Sequence, residues 1–308
     1  MIDRFNPLNY PECLAAPSWD RASSWTEHVP FAFALVEMLR PRTVVGLGDP
    51  TGVSYCALCQ AIDRLGLPSR AHGLVGEPED FDELKAHHDA RYGRFSSLIP
   101  GTFEDAFPRF ADGTVDLLYF DGQPDDFEAW LPKLSDCGVV LLHGVNDHER
   151  DAAVWKLWAE LRLRHRSFEF THGRGLGVAA IGPRCPDVLG AMLAANEEDA
   201  THIREFYYQL GRRVSQGGEH LRLRGNHRRL MGRLAETEQL LQVFQLQCEE
   251  RDEMLRRARS ELEPIQRSLV LRCVKLLARV EWILAPAGSR RRNALHLARR
   301  GMGALRRR

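Results

Sequence analysis

The stretch Thr43-Val-Val-Gly-Leu-Gly-Asp-Pro-Thr-Gly52 leads from β-branched residues into closely spaced glycines, and a helix-forming run follows from Ser54 to Leu65. The first half predicts a buried strand and the run predicts a helix, with a glycine turn between them. A turn built on Gly46, Gly48 and Gly52 lets a ligand lie against bare backbone, and the next helix presents unpaired N–H groups at its N-terminus. The stretch therefore predicts a nucleotide-type pocket at the end of a strand.

Strands and helices alternate on both sides of this stretch. We predict strands at 43–47, 70–75, 95–99, 115–121, 138–143, 168–172 and 176–182, and helices at 27–39, 54–65, 80–90, 103–110, 125–134 and 148–165. Because no helix separates the last two strands, we expect an antiparallel hairpin at the edge of an otherwise parallel sheet. The pattern predicts an α/β protein with a doubly wound, seven-stranded, mostly parallel sheet, whose ligands bind at the carboxyl ends of the central strands.

Several segments carry a resemblance to a known protein family: Val29-Pro-Phe-Ala-Phe33, Gly52-Val-Ser-Tyr-Cys56, Val115-Asp-Leu-Leu-Tyr-Phe-Asp-Gly122, Gly138-Val-Val-Leu-Leu-His143 and His172-Gly-Arg-Gly-Leu-Gly-Val178. They resemble a bacterial family of class I S-adenosylmethionine-dependent methyltransferases, whose members often accompany glycosyltransferases in surface-polysaccharide assembly. The resemblance covers residues 6 to 182. It implies the Rossmann-like class I methyltransferase fold, S-adenosylmethionine as the cofactor, and O-methylation of a sugar or glycan intermediate.

The resemblance also implies where the cofactor binds, at residues Gly46, Gly48, Gly52, Ser54, Glu77 and Asp121. Two acidic positions of the family are absent, since Gly46 replaces a Glu and Val75 replaces the Asp that holds the ribose hydroxyls. Glu77 or Glu79, just after the second strand, is the alternative ribose ligand. A hydrogen bond to a charged group contributes about 1.5–3 kcal/mol. The missing acids therefore favour a second hypothesis, a catalytically inactive methyltransferase fold that scaffolds glycan-assembly enzymes.

The candidate catalytic residues are His143 and Asp121, which end neighbouring central strands. Transfer of a methyl group to a hydroxyl requires alignment and removal of a proton, and we expect His143 as base and Asp121 as orienting acid. The alternative is structural: Asp121 caps the following turn and His143 is a satisfied residue at a strand end. Asp121, Asn146 and Asp147 offer oxygen ligands to a divalent metal, but Gly144 replaces an Asp of the family, so we expect no metal.

Length and composition predict one main domain with an appendage. The chain has 308 residues, 44% hydrophobic and 27% charged, which is enough to bury one substantial core. We divide it into a methyltransferase-like domain at 1–185, a helical connector at 186–220, a coiled coil at 221–263 and a basic amphipathic tail at 264–308. The seven cysteines show no paired metal spacing and the N-terminus shows no export pattern, so we expect a cytoplasmic protein.

A heptad repeat occupies the predicted coiled coil. Its seam positions alternate spacings of four and three: Leu230, Leu234, Thr237, Leu241, Phe244, Cys248, Arg251, Leu255, Ala258 and Leu262. We call these ten residues the seam. Such a stripe is typical of a coiled coil, and we expect it to form a homodimer. The alternative is an ordinary solvated amphipathic helix.

The tail is strongly basic and amphipathic. From Pro264 onward it holds 12 Lys or Arg and one acid, Glu281, whereas the preceding residues hold 30 basic and 41 acidic side chains. Charges interrupt the apolar run from Ser268 to Leu284 too often for a membrane span. We expect the tail to bind an anionic membrane surface, so that the protein is peripheral on the inner face. Nucleic acid is a less favoured partner because no recognised nucleic-acid-binding module accompanies the basic residues. The alternative to membrane binding is a tail that is merely solvated.

Overall fold

A computed structural model of the chain describes residues 5–48, 51–75, 81–100, 106–121, 127–147, 152–286 and 289–293. The chain divides into two compact units, Met1–Gly225 and Asn226–Arg308. The first unit contains the sheet and the helices that cover it. The second contains the C-terminal part of one long helix and a final shorter helix.

The described residues of the first unit form a seven-stranded sheet with the order β3-β2-β1-β4-β5-β7-β6. The strands are β1 Thr43–Leu47, β2 Arg70–Val75, β3 Ser96–Pro100, β4 Val115–Phe120, β5 Leu134–His143, β6 Arg166–Phe170 and β7 Leu176–Ala180. Strands β1 to β5 pair in parallel, while β7 is antiparallel to both β5 and β6. The Rossmann-like fold of class I methyltransferases and its antiparallel edge, both predicted from the sequence, are confirmed.

Helices cover the sheet on both faces. In the described residues they are α1 Val29–Leu39, α2 Val53–Arg64, α3 Phe81–Tyr92, α4 Phe127–Trp130, α5 Ala152–Arg164, α6 Asp187–Leu193, α7 Glu197–Arg267 and α8 Leu269–Leu284. Alternating strand residues point to opposite faces. Val44 and Tyr119 therefore join the core formed with α1 and α2, whereas Val45 and Phe120 join the core formed with α4 and α5. Each fully buried large aliphatic side chain stabilises the fold by about 1.5–3 kcal/mol.

A buried carboxylate joins the starts of three central strands. Asp116 of β4 accepts the backbone N–H groups of Arg42 and Thr43 through Oδ2, at 2.7 and 3.2 Å. Its Oδ1 accepts the hydroxyl of Ser135 in β5, at 2.6 Å. Because a buried charge needs several donors, this arrangement fixes the relative positions of β1, β4 and β5 at their amino ends.

Some predicted boundaries are wrong. The helix predicted at 103–110 is described only from Ala106, which is α-helical and leads into a 3-10 turn at Phe107–Arg109 that ends one residue before the predicted end. The helix predicted at 125–134 is the single turn α4 followed by a 3-10 turn, and β5 already begins at Leu134, four residues before the predicted start. Both segments are rich in aromatic and apolar residues that pack in the core, and local pattern alone does not separate a short helix from a buried extended segment.

The segment predicted as a helical connector, 186–220, is helical over most of its length, at Asp187–Leu193 and from Glu197 onward. No boundary follows it at 220, because α7 passes through Gly217 and Gly218 without interruption and continues through Pro264 to Arg267. The buried glycines of α7 serve close packing: a Cβ on Gly211 would lie 2.1 Å from the carbonyl oxygen of Glu27, and a Cβ on Gly218 would lie 2.2 Å from Asp20 Oδ2. Packing against the N-terminal segment thus outweighs the low helix propensity of glycine.

The second unit exposes its apolar side chains. All ten seam residues are solvent-exposed, and the exposed side chains of α8 include Leu269, Leu277, Trp282 and Ile283. The side chain of Ser268 caps α8 by accepting the N–H of Leu271 at 3.2 Å. Among the described residues, none of the helices combines the length and hydropathy that crossing a bilayer requires.

Candidate functional site

The glycine turn lies where the sequence predicts it, at the carboxyl end of β1. Gly48 and Gly52 have φ angles of 87° and 70°, which side chains with a Cβ rarely adopt. The N–H of Gly48 donates to the carbonyl of Leu74 at 3.1 Å, so the turn is joined to the end of β2. Gly52 is the N-cap of α2, and Ser54 is fully buried in the first turn of that helix. The helix N-terminus therefore opens at the strand ends, as nucleotide binding requires.

A tyrosine ring covers the two strand positions that lack side chains. Gly46 of β1 and Gly73 of β2 are register partners, and the ring of Tyr55 lies against both. A Cβ on Gly46 would lie 2.8 Å from Tyr55 Cδ2, and one on Gly73 would lie 2.6 Å from Tyr55 Cε1. The space next to Gly46 is therefore filled by protein, and a carboxylate at this position requires the ring to shift.

A buried hydrogen-bond network holds this ring. The hydroxyl of Tyr55 lies 2.6 Å from Ser96 Oγ, which in turn lies 2.7 Å from His88 Nε2. The other ring nitrogen of His88 contacts Asp89 Oδ1 at 2.9 Å, and Cys59 Sγ lies 3.4 Å from Ser96 Oγ. Burial raises the pKa of Tyr55 well above its ordinary value and that of Cys59 to about 12, so both groups stay protonated at neutral pH.

Side chains from two other segments cover the glycine turn. Leu84 of α3 packs against Gly52 so closely that a Cβ there would lie 2.4 Å from Leu84 Cδ1. From the N-terminal segment, the indole N–H of Trp19 donates to the carbonyl of Thr51 at 2.9 Å. The guanidinium of Arg21 lies 4.1 Å from the Trp19 ring centre. The turn is therefore enclosed on the sides formed by α3 and by the N-terminal segment.

The candidate catalytic pair comes together at the ends of β4 and β5. Asp121 Oδ2 lies 3.4 Å from His143 Nδ1 and accepts the hydroxyl of Tyr119 at 3.0 Å. The backbone N–H of Asp121 donates to the carbonyl of Leu47, next to the glycine turn, at 2.8 Å. The side chain of Asp121 is 30% exposed whereas that of His143 is 2% exposed. Asp121 is thus the member of the pair that solvent reaches, whereas His143 is buried.

Two further histidines surround His143, a feature that sequence spacing did not reveal. The Nε2 atoms of His28 and His143 lie 3.2 and 3.0 Å from the same acceptor, the carbonyl oxygen of Gly173. The ring of His28 also stacks on His172, with centroids 4.7 Å apart, and meets His143 edge-on at 5.8 Å. We call His28, His143 and His172 the histidine cluster.

The carbonyl that His28 and His143 share determines which ring nitrogen of each carries hydrogen. A carbonyl oxygen only accepts, so Nε2 of both His28 and His143 carries hydrogen, and the basic nitrogen of each neutral ring is Nδ1. Both Nδ1 atoms are buried without a hydrogen-bond partner among the described residues. Burial, followed by the neighbouring His172 and His143, lowers the pKa of His28 well below its ordinary value, and burial also lowers the pKa of His172. His28 and His172 are therefore neutral at physiological pH.

Comparison with known proteins identifies the domain that carries this site. Residues 45–145 match the family model described as a methyltransferase domain. The match covers about a third of the chain and includes the glycine turn, Asp121 and His143. The chain is also 36% identical over 203 residues to the uncharacterized protein y4gI of Sinorhizobium fredii, in an alignment that covers 60% of this chain and 22% of y4gI. The chain therefore spans about a fifth of the length of that relative.

Comparison with solved structures finds matches to methyltransferases. The SAH-bound methyltransferase PaMTH1 of Podospora anserina is 16% identical, with a TM-score of 0.41, and the match covers 50% of this chain and 77% of PaMTH1. A methyltransferase from Geobacter sulfurreducens is 19% identical, with a TM-score of 0.41, over 53% of this chain and 80% of the other.

The methyltransferase domain fits an S-adenosyl ligand in part. The backbone of Gly48, the N-terminus of α2 and the carboxylate of Asp121 lie at the same edge of the sheet. At the end of β2, where the resemblance implies a ribose-binding acid, Val75 is buried in the core. Glu77 and Glu79, the alternative ligands, lie outside the described residues. The backbone at the glycine turn therefore fits the nucleoside. None of the described residues, however, places a carboxylate at the carboxyl end of β2.

Two of the side chains considered for a metal form hydrogen bonds with neighbouring groups of the protein. Asn146 donates its side-chain N–H to the carbonyl of Thr171 at 3.1 Å, and Asp147 accepts Nε of Arg174 at 2.8 Å. Within the part of the chain that the structure describes, three or more His, Cys, Asp or Glu residues do not converge as a metal site. Two cavities of the described residues are lined by neither Asp121 nor the glycine turn. One, of about 760 Å³, lies at the amino ends of β1 and β2, and the other, of about 810 Å³, lies between the N-terminal segment and α6.

Proposed function

We propose that this domain is an S-adenosylmethionine-dependent O-methyltransferase that acts on a hydroxyl of a sugar or glycan intermediate in surface-polysaccharide assembly. The observation that carries the proposal is the position of Asp121 and His143. The pair lies at the carboxyl ends of neighbouring central strands, and the Asp121 N–H donates to Leu47, the residue before Gly48 of the glycine turn. A proton acceptor is thus adjacent to the backbone cradle of the cofactor.

In this proposal the residues of the domain position the substrate and accept its proton. When bound, S-adenosylmethionine supplies the electrophilic methyl group. The exposed carboxylate of Asp121 would bind the acceptor hydroxyl and take the proton that this hydroxyl loses. His143 Nδ1, 3.4 Å behind Asp121 Oδ2, then accepts a hydrogen bond from the protonated carboxyl group. The hydroxyl of Tyr119 holds the same carboxylate oxygen in place. The proposal therefore exchanges the two roles that the sequence predicts.

The second candidate function is a scaffold without catalysis. It is favoured by the Tyr55 ring next to Gly46, by Leu84 against Gly52 and by the apolar Val75 at the end of β2. Gly46 and Val75 stand where the resembled family has acids, and side chains of the protein occupy the space next to Gly46 and Gly52. A fold with these contacts keeps its stability without a cofactor and can serve as a body that assembles other enzymes.

Calorimetric titration of S-adenosylhomocysteine into the full chain distinguishes the two functions. An enzyme is expected to bind it with a dissociation constant near the micromolar range, about −8 kcal/mol. Asp121→Asn should then retain the fold and abolish methyl transfer to glycan hydroxyls, measured as S-adenosylhomocysteine formed. Asp112→Asn is the matched control, because Asp112 is exposed and pairs with Lys133 at the amino ends of β4 and β5, away from the carboxyl ends where Asp121 lies. A folded protein that gives no binding heat at millimolar ligand would reject the enzyme and favour the scaffold.

We propose further that the tail brings the protein to an anionic membrane surface. The apolar side chains of α8, such as Leu277 and Ile283, are exposed, and Arg290, Arg291 and Arg292 follow. Exposed apolar and basic groups together suit an interfacial helix. Flotation with vesicles of anionic lipid should recover the full chain and lose a variant truncated at 263, whereas neutral vesicles should recover neither. Equal recovery of both chains would contradict this role.

A further inference from the structure

The ten seam residues are exposed along the part of α7 that belongs to the second unit, and their order restricts how a second helix can cover them. In heptad notation Leu230, Thr237, Phe244, Arg251 and Ala258 occupy d positions, and the remaining five seam residues occupy a positions. Two parallel copies would place each seam residue against its own counterpart. Two antiparallel copies would instead pair each a position with a d position of the partner.

The parallel arrangement conflicts with three layers of the seam. Arg251 would face the partner's Arg251, which places two like charges in an apolar interface. Phe244 would face a second phenylalanine, whereas Ala258 would face a second alanine, so one layer would be overfilled and another underfilled. Cores are stable when large and small side chains alternate across facing positions. The order of residues in the seam therefore opposes a parallel homodimer.

The antiparallel arrangement removes all three conflicts when the whole seam is overlapped. The seam positions are symmetric about residue 246. Each seam residue therefore faces the partner residue that lies equally far from 246 on the other side. Phe244 faces the partner's Cys248, and Leu234 faces the partner's Ala258, so that large side chains meet small ones. Arg251 faces the partner's Leu241, and its long side chain can extend to solvent beside it.

The polar residues in and beside the seam are consistent with this pairing. The hydroxyl of Thr237 donates to the carbonyl of Arg233 in its own helix at 2.8 Å. Its donor therefore already has a hydrogen-bond partner when the residue is buried in an apolar layer. Flanking the seam, exposed Arg233 comes opposite the partner's Glu261, an attractive pair that occurs twice by symmetry. Glu238 comes opposite the partner's Asp252, but both are exposed, and an exposed like-charge contact costs less than two arginines within the seam.

We propose that residues 230–262 form an antiparallel two-stranded coiled coil with a second copy of this chain. This interaction surface does not depend on the proposed methyl transfer, since all its residues lie outside the sheet domain. The proposal specifies one partner for the exposed seam, a second copy of the chain, and one register of pairing.

The oligomeric state is the first test. Light scattering and sedimentation equilibrium of the full chain should show a dimer. Leu241→Asp, within the seam, should raise the dimer dissociation constant by about tenfold or more. Gln239→Asp introduces the same charge on the opposite face of the same turn and should leave it unchanged, and circular dichroism should show that both variants keep their helix. A monomeric wild-type chain, or equal effects of the two variants, would overturn the proposal.

The orientation is tested by disulfide crosslinking in a Cys248→Ser, Cys273→Ser background. Leu234→Cys and Ala258→Cys are introduced into separate chains, one of which carries an affinity tag. The antiparallel register predicts crosslinked dimers after mild oxidation only when the two chains are mixed. Crosslinking of each chain alone would show a parallel pair and overturn the proposal. Dimers that crosslink in none of the samples would show a different interface, with the same consequence.

Discussion

Replacing His28 by glutamine should reduce the decrease in the free energy of unfolding that this protein shows as the pH falls below neutrality. The imidazole is fully buried, and its surroundings lower its pKa well below the ordinary value of 6.5. Below that pH the unfolded chain binds a proton on residue 28 that the folded protein excludes. Unfolding therefore takes up a proton, and the free energy of unfolding falls as the pH decreases.

The magnitude follows from proton linkage. For one histidine with an unfolded pKa of 6.5 that stays neutral when folded, moving from about pH 7.5 to about pH 5.5 lowers the free energy of unfolding by about 1.4 kcal/mol. A glutamine side chain cannot titrate, so the His28→Gln variant loses this part of the pH dependence. The glutamine amide still has an N–H that can donate to the carbonyl of Gly173. Any constant loss from imperfect packing cancels when the two pH values are compared within each protein.

The measurement is urea unfolding at both pH values, followed by tryptophan fluorescence, because Trp25 lies next to His28 with ring centroids 5.9 Å apart. The wild type and the control His227→Gln, at an exposed position of α7, should show the full decrease. The His28→Gln variant should show a decrease smaller by about 1.4 kcal/mol. An identical pH dependence in all three proteins would refute the idea that buried, neutral His28 contributes to acid sensitivity.

Three further substitutions test the packing of the first unit by chemical denaturation. Gly211→Ala should destabilise the protein by about 1–3 kcal/mol because the added Cβ meets a backbone carbonyl. Its control, Gly217→Ala, has open space around it and should be neutral or stabilising by up to about 1 kcal/mol. Equal effects of the two substitutions would contradict the close approach of α7 to the N-terminal segment. Tyr55→Phe should cost about 1–3 kcal/mol because Ser96 loses a buried partner, and an unchanged midpoint would show that the network does not hold the ring. Asp116→Ala should cost about 3 kcal/mol or more because its buried donors lose their acceptor, so a loss within error of zero would reject its role in joining the strands.

The sheet could be predicted from the sequence because it depends on local pattern. The β-branched run of β1 and the helices between the parallel strands determine the order of elements, and the missing helix before β7 indicates the antiparallel edge. The glycine turn could be predicted for the same reason, since Gly48 and Gly52 follow a strand and precede a helix.

The rest of the site depends on register and on contacts between distant segments. Tyr55 covers Gly46 and Gly73 only because the pairing of β1 with β2 brings these glycines side by side, and no spacing within one segment contains that information. The histidine cluster joins residues 28, 143 and 172, which meet only after the sheet has formed. The continuity of α7 was missed because Gly218 is a helix breaker by propensity, while its contact with Asp20 is a property of the folded chain.

The buried network around Tyr55 has a consequence for how such structures are classified. Asp89, His88 and Ser96 follow one another in the hydrogen-bond order of a serine hydrolase triad. The hydroxyl of Ser96 is enclosed by the Tyr55 hydroxyl and Cys59, so an ester or amide cannot approach its oxygen. A search by triad geometry alone would report a hydrolase here, yet fluorophosphonate probes should leave the folded protein unlabelled. Access to the nucleophile, as much as its partners, decides whether such a triad can react.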